Sequence, residues 1–185
     1  MNHLATSKED ILAASRELIK ENGWTALSIR AVASRCSVSA GTIYNYYESK
    51  AELLGDTIES IWREIFFNPV DEQIFNDVAA CISWIINRLE YGNEQLPGFI
   101  SLHSLVIKKY EKTDGKKKML QTWGHILNGL CDILKNDPKI RPDVFDEQFT
   151  EKQFADILFS LILVSMIRQD YNPSSILMLI NKTLY

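Results

Sequence analysis

Apolar residues recur at every third or fourth position along nearly the whole chain, and this spacing predicts helices. No stretch of useful length alternates apolar with polar residues, and no segment of the sequence repeats another. We therefore expect an all-α fold of about nine helices.

Serines mark the starts of the first four predicted helices, because a serine hydroxyl can accept a hydrogen bond from a free amide at a helix start. These serines are Ser7, Ser28, Ser39 and Ser49. Asp10 completes a capping box at the first start, Glu52 completes another at the fourth, and Gly23 is the expected end of the first helix. The third helix, over about residues 40–46, is too short to be stable alone.

Longer helices follow Asn68–Pro69, which is the best candidate for a domain boundary. Their predicted ranges are about 72–91, 99–110, 116–135, 150–169 and 173–184. Loops are expected over 92–98 and 136–149. The longest uncharged run of the C-terminal third, residues 157–167, has 11 residues, whereas a bilayer span needs about 20, so no membrane span is expected.

The 185-residue chain carries a net charge of −4, which argues against binding nucleic acid or an anionic membrane through bulk charge. Residues 1–50 carry 6 basic and 5 acidic side chains, and residues 51–185 carry 14 and 19. Any contact with nucleic acid should therefore be local and lie within the first fifty residues.

Three cysteines, Cys36, Cys81 and Cys131, lie far apart and form no CxxC pair. A disulfide framework or a zinc ribbon is therefore not expected, and a reducing, cytoplasmic compartment fits. The first ten residues lack the apolar core of a signal peptide, so no export is expected. Because the histidines have no second ligand at helical spacing and no catalytic constellation occurs, we expect no metal, no cofactor and no enzymatic activity.

The most informative stretch covers residues 28–50 and has the sequence SIRAVASRCSVSAGTIYNYYESK. Its pattern predicts a helix, a tight turn and a second short helix whose exposed positions are small, hydroxyl-bearing, amide or aromatic. These positions are Ala40, Gly41, Thr42, Tyr44, Asn45 and Tyr46. A glycine inside a helix costs about 1 kcal/mol, so Gly41 indicates close approach by another body, such as a phosphate backbone.

Several side chains of this stretch have the chemistry of DNA contacts. The hydroxyls of Thr42 and Tyr44 can donate to phosphate oxygens, and the amide of Asn45 can meet a base edge. Lys50 can meet a phosphate at the start of the next helix, and Arg30 can do the same from the first helix of the pair. A helix-turn-helix used only for packing or for protein contact is the alternative.

The stretch resembles the N-terminal domain of the TetR family of bacterial transcriptional regulators, over about residues 7–67. The matching pieces are Leu27-Ser28-Ile29-Arg30, Val32-Ala33, Val38-Ser39, Gly41-Thr42-Ile43-Tyr44, Tyr46-Tyr47 and Ser49-Lys50-Ala51-Glu52-Leu53-Leu54. The resemblance implies a DNA-binding domain over 1–50, with the motif at 28–47 and a connecting helix at 49–67. It also implies an effector-binding and dimerisation domain over 69–185, which itself carries no motif of the family.

Carried over by position, the resemblance implies a role for each residue of the motif. Ser28 and Arg30 would meet the DNA backbone. Residues 39–46, from Ser39 to Tyr46, would lie in the major groove, with Ala40, Thr42 and Asn45 nearest the bases. Tyr44 and Lys50 would hold phosphates.

Two positions depart from the family pattern. The family often has Ala-Gly before the turn valine, where this chain has Cys36-Ser37, so Ser37 is expected to take a left-handed conformation at some cost. Ala40 offers no hydrogen bond. Specificity would then depend partly on DNA shape, on thymine methyl groups or on Asn45.

The helix over 154–167 is apolar nearly all round, which fits either a helix buried within a monomer or a subunit interface. The resemblance favours a homodimer formed through the helices at about 150–169 and 173–184. A dimer also matches a palindromic operator with half-sites about 34–36 Å apart.

Aromatic and histidine side chains are frequent on the middle helices. The candidates are Trp62, Trp84, Phe99, His103, Trp123 and His125. Each is more simply explained by core packing, but together they could line a cavity for an apolar or aromatic small-molecule effector. The basic run over 108–118 is either a solvated connection or a second contact with DNA or anions.

We therefore expect a dimeric, ligand-responsive transcriptional regulator that binds double-stranded DNA and acts as a repressor. Two alternatives remain within the same fold. Either a protein partner controls the regulator in place of a small ligand, or oxidation of Cys36 does so.

Overall fold

The structure is a computed structural model that describes residues 6–66, 75–99 and 114–185, with side chains from residue 123 onward in the last range. Within these ranges it contains eight α-helices, one 3₁₀ turn and no strand. The predicted all-α class is therefore confirmed. The helix predicted at about 99–110 lies outside the described residues, apart from Phe99.

The helices are named in chain order. The first five are α1 Lys8–Asn22, α2 Ile29–Arg35, α3 Ala40–Tyr44, α4 Lys50–Phe66 and α5 Val78–Gln95, and a 3₁₀ turn at Trp24–Ala26 joins α1 to α2. The last three are α6 Asp114–Asn136, α7 Glu151–Arg168 and α8 Ser174–Thr183. Two compact units result, one of Met1–Asn68 with Glu94–Gly98 and one of Pro69–Asn93 with Phe99–Tyr185.

The N-terminal helices begin and end where their local sequence predicts. The Ser7 hydroxyl accepts a hydrogen bond from the Asp10 amide (3.1 Å), and the Asp10 carboxylate accepts one from the Ser7 amide (2.9 Å). The side-chain hydrogen bond with Ser7 holds the pKa of Asp10 below its usual value. Helix α1 ends at Gly23, whose φ of 75° is a conformation that glycine adopts without steric cost.

The turn between α2 and α3 is a Schellman motif without a glycine. The amide of Val38 donates to the Ala33 carbonyl (2.9 Å), and the amide of Ser37 donates to the Ser34 carbonyl (3.1 Å). Ser37 has a φ of 56°, so the predicted left-handed serine is confirmed. The turn therefore ends α2 abruptly and fixes the direction in which α3 begins.

Helix α3 is shorter than predicted and ends at Tyr44, because the chain turns to bury Tyr47. Its only buried residue is Ile43. The core of the first unit that receives Ile43 and Tyr47 consists of apolar side chains from α1, the following turn, α2 and α4. These include Ile11, Leu12, Ile19, Leu27, Val32, Leu53 and Ile61.

Helix α5 begins at Val78 rather than near residue 72, because two aspartates bind its first amides. Asp77 accepts a hydrogen bond from the Ala80 amide (2.7 Å), and Asp137 accepts one from the Val78 amide (2.9 Å). The helix also continues to Gln95, through the start of the loop predicted at 92–98. Gly92 is buried on the same face as Leu89, where it needs no side chain, so it does not end the helix.

Asp137 joins three parts of the second unit. Besides the Val78 amide, its carboxylate accepts hydrogen bonds from the Tyr185 hydroxyl (2.6 Å) and the Lys139 amide (2.9 Å). Lys139 in turn forms an ion pair with Asp77 at 2.6 Å, and this hydrogen bond lowers the pKa of Asp77. The start of α5, the end of α6 and Tyr185, which lies two residues beyond α8, are therefore fixed to one another.

Helix α7 has the capping box predicted for it, formed by Thr150 and Gln153, and ends in a left-handed residue, Gln169. Helix α8 begins at Ser174, one residue later than predicted, and the Asn172 side chain accepts a hydrogen bond from the Ser174 amide (3.0 Å). No helix in the parts of the chain that the structure describes is long and apolar enough to cross a bilayer.

The left-handed Ser37 gives a stability prediction. We expect Ser37→Gly to raise the free energy of unfolding by up to about 1 kcal/mol, because glycine relieves the left-handed strain and loses only part of that gain to greater freedom in the unfolded chain. Denaturant unfolding at a fixed protein concentration measures this. Ser37→Ala is the matched control and should bring no gain. Equal stability of all three proteins would contradict the strain.

Candidate nucleic-acid interface

The exposed surface of the α2–turn–α3 motif consists of few side chains. Gly41, Tyr44 and Asn45 are exposed, with 55% of Tyr44 accessible, and Ala40 and Thr42 are partly buried. Ile43 and Tyr47 anchor the opposite side in the core of the first unit. Of the predicted contact positions at α3, Gly41, Tyr44 and Asn45 are therefore exposed, whereas Ala40, Thr42 and Tyr46 are exposed only in part.

Tyr46 makes a structural contact that the sequence does not predict. Its hydroxyl donates a hydrogen bond to the Thr6 carbonyl at 2.6 Å, and its ring is partly buried. The residue therefore ties the end of α3 to the segment that precedes α1. The sequence does not indicate this hydrogen bond, because the partner is forty positions away and nothing local distinguishes Tyr46 from Tyr44.

The hydroxyls at the start of α3 bond to each other. The Ser39 hydroxyl accepts a hydrogen bond from the Thr42 amide (3.1 Å) and lies 3.0 Å from the Thr42 hydroxyl. Ser39 is thus the cap of α3, as its position predicts. Ala40 and Gly41, which lie between the two, have no side-chain hydrogen-bonding group.

The candidate phosphate contacts flank α3. Ser28 caps α2 by accepting a hydrogen bond from the Ala31 amide (3.2 Å), and Arg30 is exposed one residue beyond the start of that helix. Lys50, the first residue of α4, is also exposed. Both cations lie at helix starts, where they can reach an anion together with free amides.

Glu52 takes part in the hydrogen bonds at the start of α4. Ser49 caps α4 through the Glu52 amide (3.1 Å), as predicted, but the Glu52 carboxylate accepts from the Glu48 amide (2.7 Å) instead of the Ser49 amide. The capping box is therefore widened by one residue. This hydrogen bond fixes the turn between Tyr47 and Lys50.

Ion pairs hold the helices of the first unit together. Lys8 contacts Asp56 at 2.6 Å, and only 9% of the Asp56 side chain is accessible. Arg16 contacts Glu64 at 3.0 Å, so α1 is paired twice with α4. Arg35 pairs with Glu21, which lowers the pKa of Glu21 and joins α2 to α1. No periodic signal predicts these pairs, because their members lie far apart in sequence.

The six candidate effector residues are divided between the two units. Trp62 belongs to the first unit and stacks on Phe66 with 5.7 Å between ring centroids. In the second unit, Phe99 is buried, Trp84 packs against Phe75 (5.3 Å) and Trp123 meets Phe159 edge to face (5.6 Å). His125 is exposed, and His103 lies outside the described residues, as does most of the 108–118 basic run.

A cleft of about 140 Å³ in the first unit differs in chemistry from the expected apolar pocket. It is lined mainly by charged side chains of α1 and α4, among them Arg16, Lys20 and Glu64. Arg16 and Glu64 already form an ion pair there. The cleft therefore gives no support to an aromatic or apolar effector at this place.

The cysteines are free thiols. Cys36 is partly buried, its sulfur lies 3.9 Å from the Asp10 carbonyl oxygen, and burial raises the pKa of its thiol. Burial also raises the pKa of Cys81, to about 12. Since the thiolate is the reactive form, neither environment favours reaction with an oxidant at neutral pH.

Comparison with known proteins gives a match at this motif. Residues 11–57 match the family model of the bacterial regulatory proteins of the tetR family, which confirms the resemblance seen in the sequence. An uncharacterised HTH-type transcriptional regulator of Lactococcus lactis is 29% identical over 89 residues, 45% of this chain and 45% of the relative. The HTH-type transcriptional repressor KstR of Rhodococcus jostii is 43% identical over 66 residues, 36% of this chain and 29% of the relative.

Both matches span less than half the length of these curated relatives. Solved structures show the same fold over most of the chain. A transcriptional regulator from Rhodococcus sp. Rha1 has a TM-score of 0.65 at 17% identity, covering 91% of this chain and 86% of that chain. The regulator FadR from Bacillus subtilis, in complex with stearoyl-CoA, has a TM-score of 0.55 at 16% identity, covering 94% and 97%.

The hydrogen bond of Tyr46 gives a prediction about stability. We expect Tyr46→Phe to lower the free energy of unfolding by about 1 kcal/mol, because the partly buried Thr6 carbonyl loses its donor. The control is Tyr44→Phe, whose exposed hydroxyl should matter by less than about 0.5 kcal/mol. Denaturant unfolding of both variants distinguishes the two tyrosines, and equal effects would contradict the assignment.

Proposed function

We propose that this protein is a sequence-specific DNA-binding transcriptional regulator, because its residues 11–57 belong to the tetR family of bacterial regulatory proteins. The observation that carries the proposal is the geometry of the motif. Helix α3 is held from behind by Ile43, while Tyr44 and Asn45 extend into solvent and Lys50 begins the next helix.

In this proposal, α3 enters the major groove. The hydroxyl of Tyr44 and the ammonium of Lys50 contact phosphates, and the exposed amide of Asn45 meets a base edge. Ser28 and Arg30 contact the backbone from the start of α2. These contacts position the motif on the duplex, and the base contacts of α3 select the sequence.

The charge distribution favours a small, local interface. Four basic residues of the first unit are already paired with carboxylates, and these are Lys8, Arg16, Arg35 and Arg63. Arg30 and Lys50 have no such pair among the described residues and remain available for phosphates. Because the protein is acidic overall, its affinity for random DNA should be low, and binding should depend on correct placement.

Helix α3 is too short to specify a long site. Its five residues extend about 7.5 Å at 1.5 Å per residue, which corresponds to roughly two base pairs at 3.4 Å each. One motif alone therefore cannot select a unique operator. Two motifs on a palindromic site double the readout, which requires a dimer.

We further propose that α7 and α8 form the homodimer interface. They expose large apolar side chains that a soluble monomer would normally bury. These are Ile157, Val164, Ile167, Met178 and Leu179, and Ile167 is 74% accessible. The opposite faces are already packed, with Leu158 and Ile162 on α7 and Ile180 on α8 buried. A second copy of the chain would cover both exposed faces in one twofold contact.

We propose that a small molecule bound by the second domain controls DNA binding. We also propose that the protein represses transcription when it is bound to its operator. The fold shared with FadR in complex with stearoyl-CoA supports a ligand, and the similarity to the repressor KstR supports repression. An effector acts only if it binds the two states unequally, and a coupling of about 1–3 kcal/mol changes DNA affinity about 5–150-fold.

Two alternatives to control by a small molecule are compatible with the same fold. Control by a protein partner would leave the second domain without a ligand. Control by oxidation of Cys36 is disfavoured, because burial raises the pKa of its thiol.

The phosphate contact of Lys50 gives the first functional prediction. We expect Lys50→Ala to weaken binding to all duplexes and to lower the slope of log affinity against log salt by about one, because one phosphate contact is lost. Fluorescence anisotropy with DNA from upstream of the protein's own gene, at several salt concentrations, measures this. Lys135→Ala, at an exposed position of α6 outside the motif and the proposed interface, is the matched control. An unchanged slope in Lys50→Ala would contradict the contact.

The dimer gives a second prediction. We expect Ile167→Glu to produce a monomer, because a carboxylate would have to be desolvated in the apolar contact. Light scattering after size exclusion measures the mass, and operator affinity should fall with it. Gln148→Glu, in the connection before α7, adds the same charge at an exposed polar position and should stay dimeric. A dimeric Ile167→Glu protein would place the interface elsewhere.

A further inference from the structure

Few polar groups at α3 remain available to contact bases, because its neighbouring hydroxyls already form hydrogen bonds within the protein. Ser39 caps the helix and contacts the Thr42 hydroxyl, and the Tyr46 hydroxyl is bound to the Thr6 carbonyl. Ala40 and Gly41 have no polar side-chain atom. Thr42 and Asn45 are three residues apart, so they share the face of the helix that would meet the bases.

The Thr42 hydroxyl is directed back along the helix rather than outward. It lies 3.0 Å from the Ser39 hydroxyl, and the Thr42 amide donates to the same Ser39 oxygen at 3.1 Å. Whichever hydroxyl donates, the Thr42 oxygen is held on the side of the helix start. The remaining heavy-atom substituent on its β-carbon is the methyl group, which then faces away from the cap.

In the major groove, a methyl group at this position can make an apolar contact with the methyl group of only one base. Thymine alone presents a C5-methyl group there, and threonine and alanine methyl groups are its usual apolar contacts. Cytosine, guanine and adenine present polar atoms, which a threonine methyl cannot satisfy.

From this geometry we infer that Thr42 selects thymine in each operator half-site by contact between its methyl group and the thymine C5-methyl group. The inference rests on the proposed DNA-binding function. Thr42 thereby acts as a specificity-determining residue through an apolar contact, and Asn45 supplies the hydrogen bonds on the same face of α3.

The test uses duplexes selected by the full-length protein from a random library. In a selected duplex, each thymine is replaced in turn by deoxyuridine, which keeps the base pair and removes only the methyl group. We expect one position in each half-site at which affinity falls about fourfold, the value of one buried methyl group, and about sixteenfold when both half-sites are replaced.

Two variants assign that methyl contact to Thr42. Thr42→Ser keeps the hydroxyl beside Ser39 and removes the methyl group, so it should bind thymine and deoxyuridine at this position equally. Thr42→Val keeps a methyl group and removes the hydroxyl, so it should retain the preference for thymine. Thermal unfolding followed by circular dichroism checks that both variants are folded.

The opposite pattern would overturn the inference. If Thr42→Ser binds like the wild type and Thr42→Val loses affinity for every duplex, the hydroxyl contacts the DNA instead. A selected site that tolerates deoxyuridine at all thymines also removes the methyl contact but leaves a sequence-specific regulator. If the library yields no enriched sequence, the proposed function fails, and the inference fails with it.

Discussion

A five-residue helix has no stability of its own, so α3 exists only because other elements hold it. Ile43 and Tyr47 bury the side of the chain that faces the core, and the turn at Ser37 sets the direction in which α3 begins. Everything proposed for DNA binding depends on this support. A short helix held in this way offers few groups to DNA, so both affinity and specificity depend on the correct placement of each one.

Helix α1 supplies much of that support through polar contacts. Its Lys8 binds the nearly buried Asp56 of α4, and Glu21, near its other end, binds Arg35 of α2. Tyr46 adds a hydrogen bond from the end of α3 to the Thr6 carbonyl. The two ion pairs hold the unit together and add no net charge. Arg30 and Lys50 have no such pair among the described residues and therefore remain available for phosphates.

The sequence predicts those parts of the structure whose causes are local. The capping boxes at Ser7 and Thr150 and the left-handed Ser37 follow from residues within a few positions of one another. The predicted start of α5 was wrong because a distant residue, Asp137, caps it, and no local pattern contains that information. The hydrogen bond of Tyr46 was not predicted for the same reason, since its partner lies forty positions away.

The short helix α3 and the exposed apolar surfaces of α7 and α8 both favour a dimer. A recognition helix that spans roughly two base pairs distinguishes few sequences, so a specific regulator of this design needs two such helices at a fixed separation. The separation has to be set by a contact outside the DNA-binding unit.

Exposed apolar side chains such as Ile167 and Met178 offer that contact. The hydrogen bonds of Asp137 connect Tyr185, two residues beyond α8, to the start of α5, so the proposed interface is built on a braced part of the second unit. A rigid interface matters here, because any looseness between two copies would spread the separation of their recognition helices and weaken binding to a palindromic site.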